Sequence, residues 1–282
     1  MLNKDNLKKL KLIVFDLDGT LLSDYNEIGE KSKELVSELK KLGVKFTIAS
    51  GRLHSAIVQH AETLNLQTPL ITLDGSLIRS HPEGKIIFES FVPVKYVQRA
   101  IKLADKYLLN VALCHDEAIY YTEHNSVIPQ MMDKFGAVYK EVETYNDVME
   151  RTLELVITGD YKDSIKLVKD KFAFPYAFGL STSYYKSHSN EGVYYLEIRK
   201  GGTSKGKGLQ RLAKALKINI KETAVTGDWY NDRSLFETNA LKIAVANAVP
   251  EIRRMADFVT QTDNNEDGVG EFLELVYNAK TN

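Results

Sequence analysis

The sequence predicts an α/β protein whose core is a doubly wound parallel sheet, with a smaller α+β domain inserted into it. Short apolar runs end at Phe15, Ala49 and Leu73 and alternate with helical patterns, which is typical of parallel strands joined by helical crossovers. Between residues 78 and 194 this alternation gives way to hairpin-like and Tyr-rich segments. We therefore assign residues 1–77 and 195–282 to the core domain and residues 78–194 to the inserted domain.

The elements of the core are predicted from apolar periodicity. The run over residues 12–15 is a strand buried on both faces, as parallel strands are. Helices are expected over residues 30–42 and 53–64, and strands over 44–49 and 70–73. After the insertion, a strand over 194–198 leads into a helix with Leu209, Leu212, Ala213 and Leu216 on one face, and another strand covers 223–226.

Composition excludes several functional classes. The 282 residues carry 37 basic and 38 acidic side chains, so no bulk field attracts nucleic acid or an anionic membrane. Cys114 is the only cysteine, which excludes an internal disulfide and fits a reducing compartment. No apolar run approaches the ~20 residues that span a bilayer. We expect a cytoplasmic protein without a nucleic-acid or membrane partner.

Two aspartates, Asp16 and Asp18, follow the first strand directly. Side chains alternate along a strand, so both carboxylates can point the same way at the carboxyl end of the sheet, where open α/β sheets bind ligands. Such close carboxylates repel each other unless a proton or a cation lies between them. Mg²⁺, which prefers oxygen ligands, is the expected cation.

Other strand ends and a helix start would converge on the same edge: Ser50-Gly51, Lys205, and Asp228 with Asn231-Asp232. This set predicts a phosphoryl-transfer site in which Asp16 attacks phosphorus and Asp18 acts as general acid and then general base. The candidate metal ligands are Asp16, Asp18 (through its carbonyl), Asp228 and Asp232. The phosphate oxygens would be held by the Ser50 hydroxyl, the backbone N–H groups near Leu17 and Gly51, the Lys205 ammonium and Asn231.

A nucleotide-binding alternative is weaker. Residues 201–208 nearly spell a P-loop, but Gly208 stands where Ser or Thr should bind the metal. No G-x-G-x-x-G sequence follows a strand, so a dinucleotide site has no support.

These motifs resemble those of the haloacid-dehalogenase superfamily, in particular the Cof-type phosphatases with an inserted α/β cap. The matching stretches are DLDGTLL at 16–22, IASGR at 48–52, TSKGKGL at 203–209, GDWYND at 227–232, VANA at 245–248 and EDGV at 266–269. The resemblance implies a Mg²⁺-dependent phosphatase of small phosphate monoesters such as sugar phosphates, with the cap choosing the substrate. It also implies that Arg52 and Asn247 lie near the phosphate or metal loop.

Three positions depart from that family pattern: Asp74 replaces the usual Asn before Gly, Trp229 replaces a small residue, and Arg233 replaces an apolar one. Asp74 is either a turn residue bonded to its own backbone or a substrate-binding residue at the rim of the site. In the second case its carboxylate accepts hydrogen bonds from hydroxyls or an amine and repels a second phosphate or a carboxylate on the substrate.

Three further readings of the same residues stay open. One of them, a catalytically retired interaction protein, is disfavoured because no catalytic position is replaced. A phosphomutase of this superfamily would share every catalytic residue and differ in rebinding a phosphorylated product. A receiver-like signalling protein would store the aspartyl-phosphate, although it would lack the D-x-D-G-T sequence and the inserted domain.

Overall fold

The computed structural model describes residues 3–132, 136–187 and 192–282. The chain divides into two compact units, one formed by Met1–Gly51, Val58–Phe88 and Ser204–Asn282 and the other by Arg52–Ile57 and Glu89–Thr203. The strands, numbered in chain order, are β1 Leu12–Phe15, β2 Lys45–Ile48, β3 Leu70–Thr72, β4 Leu77–Arg79, β5 Ile86–Glu89, β6 Asn110–Cys114, β7 Ala118–Tyr121, β8 Val138–Glu141, β9 Glu154–Gly159, β10 Leu180–Lys186, β11 Tyr194–Lys200, β12 Thr223–Gly227, β13 Leu241–Ala244 and β14 Phe258–Val259. The helices are α1 Lys4–Lys8, α2 Glu30–Lys41, α3 His54–Thr63, α4 Val94–Tyr107, α5 Ile128–Met132, α6 Lys162–Asp170, α7 Lys205–Leu216, α8 Arg233–Phe236, α9 Pro250–Met255 and α10 Gly268–Thr281.

The first unit is built on a parallel sheet with the order β14-β13-β12-β1-β2 among the residues described. Every residue of the interior strand β1 is buried, which explains its uninterrupted apolar run. Ile71 of β3 extends this parallel order through a single bridge to Ala49, and the Ser50 N–H donates to the Ile71 carbonyl at 2.9 Å. The carboxyl ends of β1, β2, β3 and β12 thus face the same edge, as predicted.

The second unit contains a mostly antiparallel sheet with the order β10-β11-β9-β6-β7-β8 in the described part of the chain. Helices α4 and α6 bury apolar side chains against one face, including Val97 and Ile165, which pack with Leu155 and Leu196 of the strands. An α+β arrangement beside a parallel-sheet unit confirms the predicted fold class.

The sequence assigns residues 195–282 to the core, but the structure places β11 in the sheet of the second unit. The reason is its pairing, because β11 runs antiparallel to β9 on one side and to β10 on the other. Its residues are buried except at Tyr194, Glu197 and Lys200, a pattern compatible with either sheet, so periodicity alone does not separate them. The limits of the inserted domain as a functional cap, residues 78–194, stay a prediction.

A charged network occupies the same sheet. The Arg199 guanidinium is buried and donates to Glu154 at 2.6 Å, to Glu197 at 3.3 Å and to the Ser183 hydroxyl at 2.8 Å. Cys114 lies opposite Glu154 in the register of β6 and β9 and is fully buried. The thiol is therefore close enough to the Glu154 and Glu197 carboxylates and to Arg199 to be affected by their charges.

In the described ranges of the chain, no helix has the length and apolar character needed to cross a bilayer.

Candidate active site

The ends of β1 and β12 bring two carboxylates to one place. Asp16 follows β1 directly, and its N–H donates to the Thr226 carbonyl of β12 at 3.3 Å. Asp228 follows β12 directly, and the two strands are paired in parallel with Val14 opposite Val225. Because parallel neighbours end at the same sheet edge, both aspartates leave the sheet together, and both are buried.

Helix α7 delivers a cation to these carboxylates. The Ser204 hydroxyl caps the helix by accepting the Lys207 N–H at 3.2 Å, so Lys205 occupies the first helical position. The Lys205 ammonium is completely buried and donates to Asp16 Oδ1 at 2.5 Å and to Asp232 Oδ1 at 2.7 Å. An ammonium so deeply buried requires such charged partners.

Asp232 holds the loop after β12 as well as the lysine. Its Oδ2 accepts the N–H groups of Asp228 at 3.0 Å and Trp229 at 3.1 Å. A Cβ on Gly227 would lie 2.7 Å from this oxygen, so only glycine fits there. Both oxygens of Asp232 are therefore engaged with protein donors.

Burial and mutual repulsion set the proton affinities of the cluster. Burial raises the pKa of Asp16 well above its ordinary value, and the Asp232 carboxylate adds to this while Lys205 opposes it. Burial, followed by repulsion from Asp232, raises the pKa of Asp228 to about 7. Burial lowers the pKa of Lys205, but the carboxylates of Asp16, Asp232 and Asp74 outweigh it and raise the pKa above its ordinary value. The lysine therefore stays charged.

The cluster suits a divalent metal ion. One carboxylate oxygen from each of Asp16, Asp228 and Asp232 lies within 4.8 Å of the others. Three carboxylates and the Lys205 ammonium leave two excess negative charges in a buried region when all are ionised. Hard oxygen ligands of this kind fit Mg²⁺ or a similar cation, whose charge would offset the repulsion that raises the pKa values.

The loops after β2 and β3 meet beside this cluster. The Asp74 N–H donates to the Ser50 carbonyl at 3.1 Å, and a Cβ on Gly51 would lie 3.5 Å from Asp74 Oδ1. Leu73 and Asp74 both adopt left-handed backbone conformations, with φ of 47°. Asp tolerates this region better than most residues, whereas a bulky Leu there is strained, and such strain concentrates at functional sites.

Three further predicted site residues differ in burial and position. Asp18 is exposed, and its backbone forms a bridge with Leu22. Asn231 is exposed within a short turn after β12. Arg52 is buried and belongs to the segment Arg52–Ile57 of the second unit. Their roles stay predictions.

The structure also shows contacts that the sequence did not indicate. The Thr20 hydroxyl donates to Asp228 Oδ1 at 2.8 Å, so the threonine after Asp-Gly connects the first loop to the Asp228 carboxylate. A Cβ on Gly206 would lie 1.9 Å from the Ser234 carbonyl, and one on Gly208 would lie 2.6 Å from Ile71. The P-loop-like glycines therefore allow α7 to approach its neighbours closely, and their spacing alone could not have shown this.

Asn247 contacts the first loop rather than an open site. Its Nδ2 donates to the Gly19 carbonyl at 2.8 Å, and its Oδ1 accepts the Asn264 N–H at 3.1 Å. Asn247, which is expected near the phosphate or metal loop, thus has a defined backbone partner at Gly19. Its predicted contact with the phosphate stays a prediction.

Fold and site together define a parallel-sheet α/β protein with a buried carboxylate–lysine centre at the carboxyl edge of its sheet. The chain belongs to the family of haloacid dehalogenase-like hydrolases, which matches residues 13–273. The resemblance inferred from the sequence motifs, and the expectation of an enzyme of this superfamily, are confirmed by this match.

Relatives and solved structures agree with the family match. The phosphatase YwpJ of Bacillus subtilis is 26% identical, with 94% of this chain and 99% of the relative aligned. The pyridoxal phosphate phosphatase YbhA of Escherichia coli is 25% identical over 93% of this chain and 97% of the relative. A haloacid dehalogenase-like hydrolase from Bacteroides thetaiotaomicron has the same fold, with a TM-score of 0.82, 24% identity, and coverage of 94% of this chain and 98% of that one.

Proposed function

We propose that the chain is a Mg²⁺-dependent phosphatase that hydrolyses small phosphate monoesters through an aspartyl-phosphate on Asp16. The observation that carries this proposal is the buried cluster in which Lys205 contacts Asp16 and Asp232 beside Asp228. A carboxylate held at a sheet edge beside a fixed cation can act as a nucleophile toward an anionic ester.

Asp16 and Asp228 would hold the metal ion, with the Asp18 carbonyl as a further ligand. Because both Asp232 oxygens already accept protein hydrogen bonds, we assign Asp232 mainly to positioning Lys205 and the loop that carries Asp228. A bound Mg²⁺ would reduce the repulsion between the Asp16 carboxylate and the substrate phosphate.

The reaction has two steps. In the first, an Asp16 oxygen forms a bond to phosphorus while the bond to the leaving oxygen breaks, and Asp18 donates a proton to that oxygen. In the second, Asp18 takes a proton from water as the water oxygen attacks phosphorus and the bond to Asp16 breaks. Asp16 and Asp18 are then restored to their initial states.

The remaining predicted residues would bind the phosphate. Lys205, whose pKa is raised and which therefore stays charged, would neutralise one equatorial oxygen. The Ser50 hydroxyl, the N–H groups near Leu17 and Gly51, and the side chains of Arg52 and Asn231 complete the proposed set.

The substrate class is a small phosphate monoester. A relative bears the name of a pyridoxal phosphate phosphatase, and the sequence resemblance favours sugar phosphates. Pyridoxal phosphate and simple sugar phosphates are both compact molecules with one phosphate. A cytoplasmic location, expected from the single cysteine, fits such metabolites.

A phosphate-release screen tests the proposal. Purified protein is assayed with sugar phosphates, pyridoxal phosphate, nucleotides and flavin mononucleotide, with Mg²⁺, with Ca²⁺ and with a chelator. We expect release with Mg²⁺ only, since the larger shell of Ca²⁺ misplaces the attacking carboxylate. Full activity in chelator would contradict the metal assignment. Net transfer of phosphate between positions of a sugar bisphosphate, without release, would instead favour the phosphomutase alternative.

A further inference from the structure

The loop that carries Asp18 is fastened at the two residues that follow it. The Thr20 hydroxyl donates to Asp228 Oδ1 at 2.8 Å, and the Gly19 carbonyl accepts the Asn247 amide at 2.8 Å. Asp18 itself is exposed. Because a side chain moves with its backbone, these two contacts contribute to the position of the Asp18 carboxyl group.

A second asparagine supports the first. The Asn264 N–H donates to Asn247 Oδ1 at 3.1 Å, which orients the Asn247 amide group so that its Nδ2 faces Gly19. The Asn264 side chain is buried, and its Nδ2 donates to the Leu22 carbonyl at 3.0 Å. The two asparagines thus hold the loop on both sides of Thr20, at Gly19 and at Leu22.

The backbone of this loop needs external support. Gly19 has φ of 74°, a conformation that glycine adopts freely. Glycine is also free to adopt many other conformations, so its presence alone does not fix the backbone of the loop. A Cβ at this position would lie 2.7 Å from Asp228 Oδ2, so a residue with a side chain and a more restricted backbone cannot replace Gly19. Inside the loop, the Leu21 and Leu22 N–H groups donate to the Leu17 carbonyl at 3.1 and 2.9 Å. The hydrogen bonds from outside the loop act together with these to select its conformation.

We propose that Asn247 and Asn264 are positioning residues that orient Asp18 for proton transfer. This inference rests on the proposed function, in which Asp18 is the general acid and base. Small displacements of a catalytic group reduce its contribution strongly. The loss of the asparagine contacts should therefore weaken the steps that need Asp18 and spare those that do not.

Leaving groups of different basicity separate these steps. An alkyl phosphate has a poor leaving oxygen and needs a proton from Asp18, whereas p-nitrophenolate leaves without one. In Asn247→Ala, kcat/KM for the alkyl phosphate should fall about tenfold more than kcat/KM for p-nitrophenyl phosphate. Asp18→Asn should show the same preference to a larger extent. A merely structural defect would lower both constants equally.

Two variants serve as controls. Asn265→Ala removes a neighbouring exposed side chain whose Oδ1 accepts the Asp24 N–H at 2.9 Å and whose Nδ2 donates to the Asp24 carboxylate at 3.2 Å. The ratio of the two constants should stay at the parent value in this variant. Asn247→Asp keeps the acceptor for the Asn264 N–H but loses the donor to Gly19, and should behave like Asn247→Ala. If Asn247→Ala folds poorly, Asn247→Asp carries the test.

Equal losses with both esters in the Asn247 variants, or no loss, would overturn the positioning role. Equal losses in Asp18→Asn would overturn the proposed role of Asp18 itself, and the inference with it. These two failures occur in different variants and are therefore distinguishable.

Discussion

At the scale of single residues, the acid cluster links stability to pH in the metal-free protein. Asp228 has a pKa of about 7 in the folded chain against an ordinary value of 3.8. Between pH 3.8 and about pH 7, the folded state therefore keeps on Asp228 a proton that the unfolded state has released. The free energy of unfolding should fall as pH rises from 5 to 7 by about 1.4 kcal/mol per pH unit for this proton, and the fall should end above the folded pKa.

Urea unfolding in the presence of a chelator, measured at several pH values, checks this slope. Asp228→Asn is the matched variant, because its amide cannot titrate, and its stability should depend less on pH over the same range. Parallel pH profiles for the parent and the variant would contradict the raised pKa.

Asp74 is the residue whose effect on specificity can be tested most simply. Its carboxylate is buried and contributes to the charge around Lys205. A second anionic group on the substrate at ~4 Å would be repelled by roughly 4 kcal/mol at an effective dielectric near 20, or about a thousandfold. Asp74→Asn should therefore raise kcat/KM for bisphosphates and phosphocarboxylates relative to sugar monophosphates.

Glu30→Gln, which removes an exposed carboxylate paired with Lys33 on α2, is the control for net charge and should leave that ratio unchanged. If the ratio of the kcat/KM values is also unchanged in Asp74→Asn, Asp74 has no role in specificity and is a turn residue.

Three residues of the cluster could be predicted because each one directly follows a strand or begins a helix. Asp16, Asp228 and Lys205 needed only the order of the elements and the rule that parallel strands end at one edge. Thr20 and Asn264 could not be found in this way, since their partners lie far away in the sequence at Asp228 and Leu22. Such contacts depend on side-chain geometry that periodicity does not encode.

At the scale of elements, one aspartate stabilises two helices. Asp267 precedes α10 and accepts the Gly270 N–H at 3.1 Å, and it also accepts the Ser32 N–H of α2 at 2.9 Å and the Ser32 hydroxyl at 2.5 Å. The N-cap of α2 is Gly29, which has no side chain of its own to do this. The EDGV motif thus has a structural explanation that the sequence resemblance did not supply.

Asp267→Ala should lower the free energy of unfolding by about 2 kcal/mol, because each lost cap is worth about 1 kcal/mol. Chemical denaturation at fixed pH and metal concentration measures the change. Asp263→Ala removes a carboxylate that bonds only to the backbone of Asn265 and Glu266 in its hydrogen bonds at 2.8 and 3.1 Å, and should cost less than half as much. Equal losses in the two variants would contradict the double cap.

Strand β11 is correctly predicted as a strand, but the sequence does not decide to which unit it belongs. The half-buried Glu197 separates two pairs of buried residues, Tyr195-Leu196 and Ile198-Arg199, and the strand leads directly toward α7. Local sequence therefore fits a core strand as well as a strand of the second unit. Only the long-range pairing with β9 decides between them, and a single sequence does not contain that information.

At the scale of the whole molecule, Cys114 reports on the integrity of the second unit. Burial raises the pKa of its thiol well above the ordinary value, and the carboxylates of Glu154 and Glu197 add to this effect. The thiolate is the reactive form, so the native protein should react very slowly with a disulfide reagent at neutral pH. The rate should rise to that of a free thiol in urea.

Reaction rates measured across a urea series check this expectation, with the Cys114→Ser variant as the blank. Rapid labelling of the native protein would show that the second unit opens without global unfolding.

Identification of the phosphorylated residue tests the central claim most directly. Asp18→Asn, mixed with p-nitrophenyl phosphate and Mg²⁺ and quenched in acid, should retain one phosphoryl group on the peptide that contains Asp16, because attack proceeds while hydrolysis of the intermediate lacks its base. Asp16→Asn should carry no label and release no phosphate. Phosphate release by Asp16→Asn at the parent rate, or a label on another residue, would contradict the account.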